Sequence, residues 1–100
     1  MMQIDIRSIH FKTDKKLDDF INEKTSKLQQ YYDAVIAAEV SLKLANIEGA
    51  ENKIVDIKLA IPGNDLYASK QSKSFEEATD GAVEALRRQI IKHKEKVRKV

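Results

Sequence analysis

Residues 53–61 read KIVDIKLAI, with Val55, Ile57, Leu59 and Ile61 at every second position and Pro62-Gly63-Asn64 directly after. Alternation of this kind places one set of side chains on one face of a strand. That face has to be covered, so the rest of the chain must supply neighbouring strands and a second layer. Residues 37–46, AAEVSLKLAN, alternate in the same way through Val40, Leu42 and Leu44, and residues 2–11, MQIDIRSIHF, do so through Met2, Ile4 and Ile6. The polar segment IEGAEN, with Gly49, reads as a hairpin connection between the second and third runs. Pro62 presets the first central φ of a turn and Gly63 accepts a positive φ at the next, so a fourth strand follows over residues 65–73.

Two segments have a helical period instead. From Thr13 or Asp14 as N-cap, Leu17, Phe20, Ile21, Leu28 and Tyr31 recur at helical spacing to about Tyr32. Ser74 opens SFEE, a capping-box pattern in which Glu77 reaches back, and a long helix with the core line Phe75, Ala78, Ala82, Leu86 and Ile90 follows, continuing to His93 and Val97. Gly81 costs this helix about 1 kcal/mol relative to Ala, which reads as close packing on the sheet. The expected fold is α+β, a two-layer sandwich of order β-α-β-β-β-α, with two helices on one face of a four-stranded sheet. Because a helix links the first two strands, they pair in parallel and the sheet is mixed.

At 100 residues the chain is expected to form a single domain, residues 1–100. With no cysteine, disulfides, thiolate catalysis and Cys-based zinc sites are excluded. No apolar run reaches the ~18 residues of a membrane span and MMQIDIRS lacks the form of a signal peptide, so a cytoplasmic protein without a membrane partner is expected. Neither a Gly-rich phosphate loop nor an activated Ser is visible, and no cofactor or small-molecule substrate is expected.

Charge is unevenly placed. Residues 84–100 hold seven cations against two acids, a surplus of five, whereas the other 83 residues hold eleven cations and fourteen acids, a deficit of three. A local positive field is the footprint of a polyanionic partner. On a helical wheel Arg88, Lys92, Lys96 and Lys99 form one stripe, and Arg87, Lys94 and Arg98 a second on the other side of the apolar line. Cations at a helix end also complement its macrodipole, but that effect is confined to the last turn, and Arg87, Arg88 and Lys92 come too early for it. A helix over residues 75–98 would span about 36 Å, longer than a typical strand, so its last turns are expected to overhang the sheet. Lys24 falls within the apolar arc of the first helix and is expected to snorkel into the groove between the helices, with Lys27 nearby. Neither His10, close to Asp14, nor His93 has metal-ligand company, and His93 reads as groove-lining or phosphate-facing. Tyr31 falls on the core stripe and reads as packing.

As a set, MQIDIRSIHFKTD, KLQQYYD, PGNDLYAS and SFEEATDGAVEALRRQIIKHKEKV resemble the ribosome hibernation promoting factors, also called ribosome-associated inhibitors, ribosomal subunit interface proteins or sigma-54 modulation proteins. The resemblance covers essentially the whole chain. It implies a fold akin to double-stranded RNA-binding domains with an added first strand, and a non-enzymatic protein that binds rRNA in the mRNA and tRNA channel of the small ribosomal subunit, inhibiting translation in starvation or stationary phase. The family's basic contacts map onto Lys24, Lys27, Arg88, Lys92, Lys94 and Lys96; with Arg87, His93 and Arg98 they complete the candidate rRNA-binding set. Ending at Val100, the chain looks like the short form, which would act on one ribosome; ribosomal proteins or a helper hibernation factor are further partners left open by the resemblance. Three rivals remain. A general double-stranded RNA binder would read the shape of about 16 bp, a small hydrolase of the acylphosphatase sort would need an anion-holding loop, and a protein-interaction module would be indifferent to the basic stripe.

Overall fold

A computed structural model of the chain describes residues 2–9, 11–45 and 51–98, with residues 97 and 98 as backbone. His10, the connection at residues 46–50 and Lys99 lie outside the described residues, as do the expectations placed on them. The elements are β1 (Gln3–Ser8), α1 (Lys15–Ser26), α2 (Leu28–Tyr31), β2 (Ala37–Leu44), β3 (Lys53–Ile61), β4 (Asn64–Ser72) and α3 (Phe75–Arg98). The sheet has strand order β1-β2-β3-β4. β1 pairs with β2 in parallel, Ile6 opposite Val40, and the other two pairings are antiparallel, with Ile57 opposite Val40 on one side and Ala68 on the other. This is the expected mixed sheet.

Local chemistry fixes the joints. The Pro62-Gly63 turn brings Ile61 opposite Asn64, with Gly63 at φ +76°, a conformation that side chains resist. Asp14, not Thr13, caps α1, its Oδ1 accepting from the Leu17 N–H at 2.8 Å. Ser74 Oγ accepts from the Glu77 N–H at 3.1 Å and starts α3, where Glu76 and Glu77 complement the positive end of the helix.

Helices cover one face of the sheet. Val40, Leu42, Val55, Ile57 and Leu59 are at most 1% exposed, and Ile21 and Leu28 meet them with the α3 line Ala78, Ala82, Leu86 and Ile90, all fully buried. Gly81 explains itself here: a Cβ at this position would stand 3.1 Å from Cγ of Lys70, whose stem crosses the helix from β4. The single expected first helix is instead two. Gln30 N–H donates to the Lys27 carbonyl at 3.0 Å, a tightened i to i+3 turn that separates α1 from α2. This turn shifts the period, so Tyr31 is not core as its spacing predicts; it is 41% exposed, and Tyr32 packs against the core in its place.

Thr25 is fully buried on α1, and its hydroxyl has no hydrogen-bond partner among the described residues. A buried hydroxyl left unpaired costs about 1–3 kcal/mol. Thr25→Val is therefore expected to raise stability by about 1 kcal/mol, which calorimetry would record as a gain of about 4–8 °C in Tm.

The other face of the sheet is open and its charges are largely paired. Asp56 is 8% exposed there, accepting from Ser69 Oγ and from Lys43 Nζ at 2.7 Å, and Lys58 reaches Asp65 at 3.6 Å. Burial pushes the Asp56 carboxyl upward, but hydrogen bonds from Lys43, Ser69 and Tyr67 and the Lys43 charge outweigh it and hold it below the ordinary aspartate range. A depressed carboxylate stabilises the fold at neutral pH and loses that contribution as pH falls through its folded value. Urea midpoints measured from about pH 5 to about pH 2 should fall faster for the wild type than for Asp56→Asn, the two converging at the acid end.

The candidate nucleic-acid interface

Helix α3 carries most of the candidate residues, and its fully buried line ends at Ile90. The last turns lie past that line. β3 and β4 are nine residues each, about 30 Å at ~3.3 Å per residue, and the helix end is tied down beside α2. Lys94 Nζ donates to the Tyr31 carbonyl at 2.9 Å, satisfying an orphan acceptor at the end of α2, and His93 meets the Tyr32 ring edge-on with centroids 5.5 Å apart.

The two cationic stripes of α3 have different fates. On the α2 side, Arg87 donates from Nε to Glu84 at 3.0 Å and lies 5.9 Å from the Tyr31 ring centroid. This fork, with the nearby charge of Arg88 adding to it against the effect of burial, holds the Glu84 carboxyl below the usual carboxylate range. Lys94, as above, is occupied by α2. On the other side, Arg88, Lys92 and Lys96 are exposed, four residues apart, and have no hydrogen-bond or ion-pair partner among the described residues. Such spacing sets them about 6 Å apart along the helix axis.

The helix-1 cations are also partly neutralised. Lys24 does enter the groove between helices, where its Nζ is 3.6 Å from Asp80 of α3 and 5.5 Å from the Phe20 centroid. Lys27 faces Glu23 at 4.0 Å. The nine candidates thus divide: Arg88, Lys92, His93 and Lys96 gather on one side of α3, Arg87 and Lys94 meet around Tyr31, and Lys24 and Lys27 stand apart with acids of their own. Arg98 lies on the last turn of α3. Asn64 and Gln89, absent from the candidate set, also belong to the first group. Gln89 Nε2 donates to the Tyr67 carbonyl at 2.8 Å, fixing α3 against the β4 edge. Only the Pro62-Gly63 turn, which sends Asn64 toward α3, could have signalled this. Among the described residues no cluster of His and carboxylates could hold a metal ion, and no helix is long and apolar enough to cross a membrane.

Helices covering one face of a sheet, with a cationic stripe on α3 that has no ion-pair partner among the described residues, present the surface of a binding protein. A family model described as Sigma 54 modulation protein / S30EA ribosomal protein matches residues 4–98, and the chain belongs to this family. It is similar to the ribosome hibernation promoting factors of Klebsiella oxytoca and of Escherichia coli (strain K12), each 30% identical over 97 residues that cover 97% of this chain and 98% of the relative. Among solved structures, a ribosomal subunit interface protein from Coxiella burnetii superposes with a TM-score of 0.81 at 22% identity, covering 93% of this chain and 98% of that one. The Thermus thermophilus Protein Y N-terminal domain gives 0.77 at 22%, covering 90% and 96%. Both share the four-stranded mixed sheet with helices on one face. The family is one of non-enzymatic binding proteins, so the chain is not an enzyme.

Proposed function

We propose that this chain is a ribosome hibernation factor that binds the small ribosomal subunit in the mRNA and tRNA channel, gripping rRNA and blocking translation in starvation or stationary phase. The observation that carries the reading is the stripe Arg88, Lys92 and Lys96, exposed and without partners among the described residues, in a chain whose relatives are named for ribosome hibernation. Unpaired cations at helical spacing neutralise phosphates without first breaking an internal ion pair. Arg87, Lys24 and Lys27 would have to leave an acid to do the same, and Lys94 the Tyr31 carbonyl, so these form a secondary set of contacts with His93, and Arg98 joins the set by its sequence position alone. The whole chain acts as one ribosome-binding domain, and inhibition is steric occlusion with no chemistry.

Co-sedimentation of the purified protein with separated small and large subunits over a salt series tests this. Pelleting with the small subunit alone, weakening steeply with salt as counterion release requires, is the expected result. Binding to the large subunit, or to neither, overturns it. Effective competition by a short RNA duplex would favour a general double-stranded RNA binder.

A further inference from the structure

Between α3 and the β3–β4 turn lies a cavity of about 210 Å³ lined by Asn64, Leu66, Gln89, Lys92, His93 and Lys96. We propose that it seats a single phosphate group, bound with uptake of one proton from solvent by His93. The inference deepens the ribosome-binding reading and rests on it for the identity of the phosphate's carrier, a strand of RNA.

Three basic side chains and two carboxamides line the cavity with no carboxylate among them. Lys92 and Lys96, one turn apart, repel each other across it, and an anion placed there relieves that repulsion. A second hollow nearby, lined by Gln30, Tyr31, Tyr32, Asp33, Ala34 and Lys94, has the opposite character. Its only cation already donates to the Tyr31 carbonyl and it contains an acid, so nothing in it calls for an anion.

His93 is half-buried and packs in a T-shaped contact with Tyr32 while it lines the cavity. The groups facing it are Tyr32 from the end of α2, Lys92, Lys96 and Gln89 from α3, Asn64 from the turn and Leu66 from β4; Glu95 is exposed next to it in sequence. Imidazole is the side chain whose proton exchanges nearest neutrality, and an anion within about 4–6 Å favours its charged form. A phosphodiester remains a monoanion throughout this range. Binding and protonation are therefore linked: the proton joins an imidazole nitrogen, and affinity increases as pH falls, up to about tenfold per unit by which phosphate displaces the His93 midpoint.

The test is an NMR titration of the two histidines of the full chain in inorganic phosphate, in chloride of equal ionic strength, and with a single-stranded RNA hexamer. We expect phosphate to move the His93 midpoint upward by about one unit with His10 unmoved, the hexamer to do so at lower concentration, and Lys96→Gln to diminish both displacements. No displacement of His93, or an equal displacement of His10, overturns the seat. Displacement by phosphate but not by the hexamer overturns RNA as the occupant. Co-sedimentation at about pH 6.2 and about pH 7.8 separates the two readings, since proton-linked binding should be stronger at the lower pH. Salt-sensitive pelleting indifferent to pH, with His93 unmoved, sinks the seat and spares the ribosome reading. A displaced His93 without pelleting at either pH does the reverse.

Discussion

Replacing Arg88 and Lys92 together by Glu is expected to abolish pelleting with the small ribosomal subunit while the protein stays folded. Both side chains are off the buried line of α3 and neither has a partner to lose among the described residues. The fold therefore loses little, and circular dichroism and Tm should match the wild type within a few degrees. Binding loses two cations and gains two repulsive acids. Affinity should fall by about a hundredfold or more at low salt, and the slope of its logarithm against that of salt should shrink by about two. Arg87→Glu is the informative contrast. Arg87 spends its guanidinium on Glu84, so its reversal should weaken binding less than reversal of either free cation. A folded double variant that still pellets at wild-type salt would remove the stripe from the mechanism.

Leu86→Ala should produce the largest loss of stability. Leu86 is 0% exposed, and the nearest positions before it on the sheet-facing line of the helix are Ala82 and Ala78. Those small residues let α3 lie close to the sheet, and they have no bulk to slide into a hole left further along. Truncation at so rigid a site costs about 3 kcal/mol, which a thermal melt would show as a fall in Tm of at least about 10 °C. Ile91→Ala, five residues on and 39% exposed, should change it by a third of that or less. Comparable effects at the two positions would mean that α3 sits differently on the sheet.

Much of this architecture was legible in the residues because two periods are written plainly. Val55, Ile57, Leu59 and Ile61 allow one covered face, Phe75 to Ile90 supplies the cover, and Pro62-Gly63 and Ser74 mark joints whose chemistry is local. What escaped depends on geometry that no local pattern encodes. The tightened turn at Lys27 rotates everything after it, exchanging Tyr31 for Tyr32 in the core, yet nothing in KLQQYY distinguishes it from a continuing helix. The candidate site was half legible. Sequence offers Glu84 to Arg87 at i+3 and to Arg88 at i+4 alike, and only the fold shows Arg87 forked to it and Arg88 without a hydrogen-bond or ion-pair partner among the described residues. Lys24 was expected in the groove, but Asp80, 56 residues away, is visible as its partner only once α1 and α3 are laid together. Gln89 and Asn64 become neighbours through the turn between β3 and β4, which spacing along the chain cannot convey.

The open face of the sheet has a bearing on how the protein travels. Its cations Lys43 and Lys58 are spent on Asp56 and Asp65, and Arg7 shares the outer edge with Asp5 and Glu39, which sit opposite each other across β1 and β2. One side of the molecule is thus nearly neutral to acidic and the other carries the surplus of cations. In the field of a polyanion such a body experiences a torque as well as a pull. It rotates as it approaches and arrives helix first, so that fewer collisions are wasted on the wrong orientation. The internal ion pairs of the sheet, remote from any contact, would in this way act on the speed of capture, and neutralising Asp5 and Glu39 should alter how often an encounter succeeds without touching the bound state.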